Sequence, residues 1–165
     1  MITAYTTYAS IRTVLGLTSK ELSDTQLDDE VIEFAVVGEL ISVGTSIDED
    51  SDIIGEYEDV SSDYPDITTV AGQFCAAFRS FSAAVAATSL LGSLPLLVPT
   101  YLSDSKVAIK KDVSLATEAV RNFYTQARRR LVEAFAAYLE VDAPAAATPT
   151  LLTISSPDYD PVTDE

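Results

Sequence analysis

At 165 residues the chain is long enough for one domain with a sizeable core, and an apolar fraction of 47% excludes wholesale disorder. A formal net charge of −16 opposes nucleic-acid binding by the bulk surface, because phosphates would be repelled. There is no histidine, so the commonest general base and metal ligand are missing, along with any Ser-His or Cys-His pair. The single cysteine, Cys75, has no intrachain disulfide partner, which fits a reducing compartment.

The start, "MITAYTTYAS", lacks the basic and apolar regions of a signal peptide. A first helix is predicted from Thr7 to Gly16, with Tyr8, Ile11 and Leu15 on one face. Glycine there allows the left-handed conformation that ends a helix. "SDTQ" then has the pattern of a capping box, Ser23 with Gln26, opening a second helix to about Val43. Its inward residues are expected to be Leu27, Val31, Phe34, Ala35 and Ile41.

Residues 44–65 show no sustained period and read as a long acidic loop punctuated by Gly44, Gly55 and Pro65. A third helix is predicted from Asp66 to Leu91, with Val70, Phe74, Phe78, Phe81 and Val85 at helical spacing. Gly92, Pro95 and Pro99 break the chain before "YLSDSKVAIKKD", a short irregular or strand-like piece. The fourth helix spans Ser114 to Glu140, with Val120, Phe123, Ala127, Leu131, Phe135 and Tyr138 as its stripe. The expectation is an all-α bundle of about four helices over 1–140, followed by an extended arm, 141–165, holding four prolines and the strand-forming island "TLLTIS".

Charge is segregated along the chain. Residues 21–66 carry 16 acids and no Lys or Arg, whereas residues 106–130 carry seven bases against two acids. Such a chain either joins copies plus-to-minus or has two faces with different roles. Within the acidic part, "DEDSD" starts like a calcium loop, with Asp48, Asp50 and Asp52 at the first, third and fifth positions. The sixth position is Ile53 instead of Gly, Gly55 comes two residues late, and the twelfth is Asp59 instead of Glu. Asp48, Glu49, Asp50, Asp52, Glu56, Glu58 and Asp59 are therefore assigned to an acidic surface, with no metal and no cofactor expected.

Cys75, between Phe74 and Phe78, reads as a small buried hydrophobe, and no phosphate loop, zinc spacing or nucleophile elbow appears. No enzymatic activity is expected. Ser80 to Ser103 is uncharged for 24 residues, long enough to span a bilayer, but its Ser and Thr content and Pro95 and Pro99 favour a core helix followed by a buried loop. Arg128, Arg129 and Arg130 fan around a helix, one at the core edge and the others outward. They form either a solvated face or a salt-bridged contact to a neighbour's acidic segment, with DNA contact the least favoured because the whole-chain charge opposes it.

Two stretches resemble one family. "TYASIRTVLGLTSKELSDTQL" is similar to the opening of tailed-bacteriophage head-to-tail connector (adaptor, or neck) proteins, with a short helix, an "LG" stop and an "ELSD" turn before a longer helix. "YLSDSKVAIKKDVSLATEAVRNFYTQARRRLVEAF" resembles the same family's "SDGK" turn, basic strand-like piece and long last helix. Ser105 stands where the family commonly has Gly, and Asp112 where it has an aromatic residue. The resemblance covers about two-thirds of the chain.

It implies a virion protein assembled in the host cytoplasm, with a helical bundle that forms a ring, dodecameric in the family, beneath the portal. Such a ring bridges portal protein to tail proteins and leaves a channel for DNA as passing cargo, with no membrane partner. Lys106, Lys110, Lys111, Arg128, Arg129 and Arg130 are then the expected contact charges. Leu151, Leu152 and Ile154 could add as a strand to a partner's sheet edge.

Overall fold

The computed structural model describes residues 2–63, 65–92, 101–104, 107–110 and 113–142, with side chains for 2–63, 65–92 and 117–141. A 3-10 turn, Ile2–Ala4, buries Ile2 and leads into α1, Tyr8–Leu15. The Thr7 hydroxyl accepts the Ser10 N–H to cap α1, and Gly16 ends it at φ 66°, in the left-handed region. Ile11 and Leu15 are buried and Tyr8 is half-buried, the face expected from spacing.

The second expected helix is in fact two. α2, Asp24–Leu27, is a single turn whose Gln26 Oε1 accepts from the Ser23 N–H at 2.8 Å, and α3, Glu30–Ile47, starts afresh after Asp28. The break has a local cause: the Asp29 carboxylate accepts the Val31 N–H at 2.9 Å and so caps a new helix. Arg12 ties α1 to this corner, donating from Nε to the Leu22 carbonyl at 2.7 Å and pairing with Asp24.

The long acidic loop expected over 44–65 is also corrected. α3 continues to Ile47, and a further helix, α4, occupies Ile53–Ser61. Asp52 starts it by accepting the Ile54 and Gly55 N–H groups at 3.2 and 3.1 Å. Ile53 and Tyr57 are buried four residues apart, and Val60 packs partly buried beside them, so a one-sided apolar face justifies the helix.

α5, Val70–Leu90, is the central element and packs against α1, α3, α4 and the last helix, α6, Val113–Asp142. Thr69 caps α5 through the Gly72 N–H. Phe74, Phe78, Phe81 and Val85 are buried as the spacing predicts, and every residue from Phe81 to Ala87 is inside. α5 is long and apolar enough to cross a membrane by length and composition, but most of that apolar length is buried in the bundle.

α6 lies antiparallel on α5. Phe74, early in α5, stacks with Phe135 and Tyr138, late in α6, at 5.1 and 5.0 Å, while Phe81 meets Tyr124 at 5.5 Å. Val120, Ala127, Leu131, Phe135 and Tyr138 are its buried stripe, with Phe123 half-buried.

Between α5 and α6, β1, Tyr101–Asp104, pairs antiparallel with β2, Val107–Lys110, with Tyr101 opposite Lys110 and Asp104 opposite Val107. Sequence spacing left this piece either irregular or strand-like, and its described residues form this short pair. The fold is mostly helical, with α3, α5 and α6 as the long helices, and the final helix runs two residues past the expected boundary at 140. Pro95, Pro99 and the arm from residue 143 onward, including Leu151, Leu152 and Ile154, lie outside the described residues.

Candidate functional site: two outer faces of the bundle

The acidic residues fall into two groups with different work. Asp48 and Asp52 cap helix ends: the Asp48 N–H closes α3 onto the Gly44 carbonyl, and its carboxylate accepts the Asp50 N–H at 3.2 Å. Asp52 opens α4. Glu49, Asp50, Glu58 and Asp59 face outward around them. Glu56, by contrast, is half-buried and accepts the Tyr138 hydroxyl at 3.1 Å. Among the described residues no three Cys, Asp or Glu side chains converge to hold a metal ion.

α3 differs most from its sequence-based expectation. Its core face is Ile32, Val36, Leu40 and Val43, whereas Val31, Phe34 and Ile41, expected inside, are 69%, 73% and 51% exposed. Of the inward set only Leu27 is fully buried, and Ala35 is half-buried. The reason lies in the helix's composition. Apolar residues occur around its whole circumference, so two faces compete and only packing on α5 selects between them. An apolar ridge is left on the outside, with Phe34 at the lip of a hollow floored by Ala35, Gly38, Val85 and Thr88. Nearby, the Tyr124 hydroxyl donates to Glu39 at 2.9 Å, and burial together with that carboxylate raises the tyrosine pKa.

A second concavity runs along the N-terminal half of α5. One part, about 510 Å³, lies between α5 and α6 and is lined by Gln73, Ala76, Ala77 and Ser80 on one side and Arg130, Glu133, Ala134 and Ala137 on the other. It continues past Arg79 toward α1, where Ala9, Ser10 and Thr13 form the wall. Small side chains at 76, 77, 134 and 137 keep the groove open.

Arg79 donates to the Tyr57 hydroxyl at 2.8 Å, and Tyr57 stacks on Phe78 at 3.9 Å, which fixes a cation on the groove's edge. Cys75 opens toward the same region, but burial pushes its thiol pKa up, with Arg79 opposing more weakly, so it is protonated at neutral pH.

The three consecutive arginines fan around α6. All three are exposed between the buried Ala127 and Leu131, and Arg130 is the one at the edge of the α5–α6 packing, where it lines the groove. Arg129 pairs with Glu133 one turn on at 2.7 Å, both exposed. Arg121 is exposed on the same helix. Lys106 and Lys111 lie outside the described residues, and Lys110 is placed by its backbone only, at the end of β2. Arg130 lines the α5–α6 groove and Arg79 the hollow next to it, whereas Arg128 lies one turn from Tyr124 on the side of α6 that faces α3, so the arginines do not share one side.

The apolar ridge on α3 and the groove on α5 were not legible as sites. The signal for the ridge was present, in that α3 carries more apolar residues than one face can use. No protein-family model, no curated protein and no solved structure matches this chain.

Proposed function

We propose that this protein is a structural connector of a bacteriophage neck. In this reading it has no catalytic role and takes no cofactor. Copies assemble into a ring that joins portal to tail and leaves a channel through which DNA passes without being bound in a sequence-specific way. The observation that carries the reading is the separation of charge on one helical body. Acids with no intervening base run from Glu21 to Asp66 through α2, α3 and α4, and exposed arginines occupy the outer side of α6. A ring built from one kind of subunit needs two unlike, complementary faces on each copy, and opposite charges supply them. The resemblance of the opening and of the 101–135 stretch to connector proteins supports the same reading.

A negative wall would also suit a DNA channel, since phosphates that cannot bind can slide. Negative-stain microscopy of the purified chain, alone and with a phage portal protein, tests the proposal. Closed rings that cap the portal are expected, and a chain that neither closes nor binds portal overturns it. A second reading, an acidic helical interaction module of the capsid without a ring, draws on the exposed α3 ridge, which would serve any apolar partner. In that case microscopy shows discrete small complexes.

A further inference from the structure

We infer that the α3 ridge of one copy docks into the α5–α6 groove of a second copy of this chain. Val31, Phe34 and Ile41 lie at three- and seven-residue steps on the outer side of α3 and form an exposed apolar row that is left uncovered among the described residues. Helix-in-groove docking uses this kind of row, with one aromatic anchor entering a concavity. The groove between Ala76 and Ser80 on one wall and Ala134 and Ala137 on the other has the complementary form, because its small side chains leave room for a helix with a protruding ring.

Charge selects the occupant. The ridge emerges from a segment with no Lys or Arg between Glu21 and Asp66, and exposed Asp29 and Glu30 stand at its start. The groove is lined by Arg130 and, where it continues toward α1, by Arg79; its acid among the lining residues is Glu133, which is paired to Arg129. An acidic ridge thus meets a basic rim.

One copy cannot satisfy itself. Phe34 lies beside Val85 and Thr88, and the groove is centred on Ala76, so about 9 to 12 residues of α5, roughly 14 to 18 Å at the helical rise, separate them. Each copy presents the ridge at one place and the groove at another. Such a contact is heterologous and repeats from copy to copy. The docking relies on the connector reading only for closure of that repeat into a ring.

The test uses the full chain and two substitutions at exposed positions, Phe34→Asp on the ridge and Ala137→Arg in the groove, with circular dichroism to verify folding. Mass photometry and sedimentation of the wild-type chain are expected to show assemblies, and each variant alone should self-associate about 30-fold more weakly or worse. Mixing the two variants should give 1:1 dimers of near wild-type affinity, because the ridge of the Ala137→Arg chain still fits the groove of the Phe34→Asp chain. Wild-type rings that survive both substitutions, or a mixture that stays monomeric, overturn the docking and leave the connector reading standing. Open chains or dimers that both substitutions dissolve uphold the docking and overturn the ring. A wild-type chain monomeric at every concentration overturns both.

Discussion

Gly72 holds the start of α5 against the turn before it. A Cβ at this position would stand 2.0 Å from the Asp66 carbonyl oxygen and 2.8 Å from the Ile67 nitrogen, both backbone atoms that cannot rotate away. Gly72→Ala should therefore destabilise the fold by roughly 1–3 kcal/mol, measured by chemical denaturation, although alanine is the better helix former. The tyrosines make a second claim at this scale. Burial raises the pKa of Tyr124 and of Tyr5 above the ordinary value of 10.0, with Glu39 adding to the first and Glu58 and Glu33 to the second. A folded pKa above the unfolded one means that the fold favours the protonated hydroxyl. Its contribution is complete below about pH 10 and disappears as pH rises through the folded values. Denaturant midpoints should hold from neutral pH to about 10 and then fall, and Tyr124→Phe should lessen that fall.

At the scale of the element, the acidic stretch Asp48 to Asp52 separates into structural and surface roles. Asp52 closes two N–H groups at the start of α4, whereas the Glu49 side chain is exposed. Asp52→Ala should cost about 1 kcal/mol of stability by thermal unfolding, and Glu49→Ala less than about 0.5 kcal/mol. Side-chain spacing made this helix hard to see beforehand, because Ile53 and Tyr57 are separated by glycine and acid and the stretch is only nine residues long. The cap and the two buried side chains together make it a helix. The same cause divides α2 from α3, where Asp29 restarts the backbone pattern. In both cases a short acidic side chain does at a helix end what its charge alone would not reveal.

For the whole molecule, the consequence is assembly through charge and apolar contact together. Reversing Arg128, Arg129 and Arg130 to Glu should prevent self-association, read by mass photometry. The melting temperature of the isolated chain should stay nearly unchanged, because all three side chains are exposed and the Arg129–Glu133 pair is a surface pair worth under about 1 kcal/mol. Raising the salt concentration should weaken wild-type assembly in the same experiment, since exposed charges lose most of their mutual attraction beyond about 8 Å at physiological ionic strength and sooner in stronger salt. Assemblies that ignore both changes would assign the contact to apolar surface alone.

The sequence by itself determined the elements whose apolar residues keep to one side. The stripe of α6, the buried face of α1 and the end of α1 at Gly16 follow from local spacing and backbone preference. In those elements the hydrophobic period leaves one face to bury, so the local pattern and the core agree. Only the tertiary structure decided the orientation of α3. With apolar residues on every side, its local pattern permits several rotations about the helix axis, and the surface of α5 admits Ile32, Val36 and Leu40 while leaving Phe34 outside. The groove on α5 arises in the same way, since alanines distant in sequence define a hollow only after two antiparallel helices set them opposite each other. A helix's content of apolar residues is written in its sequence, but which of them remain for a partner depends on the neighbours that have already covered the rest.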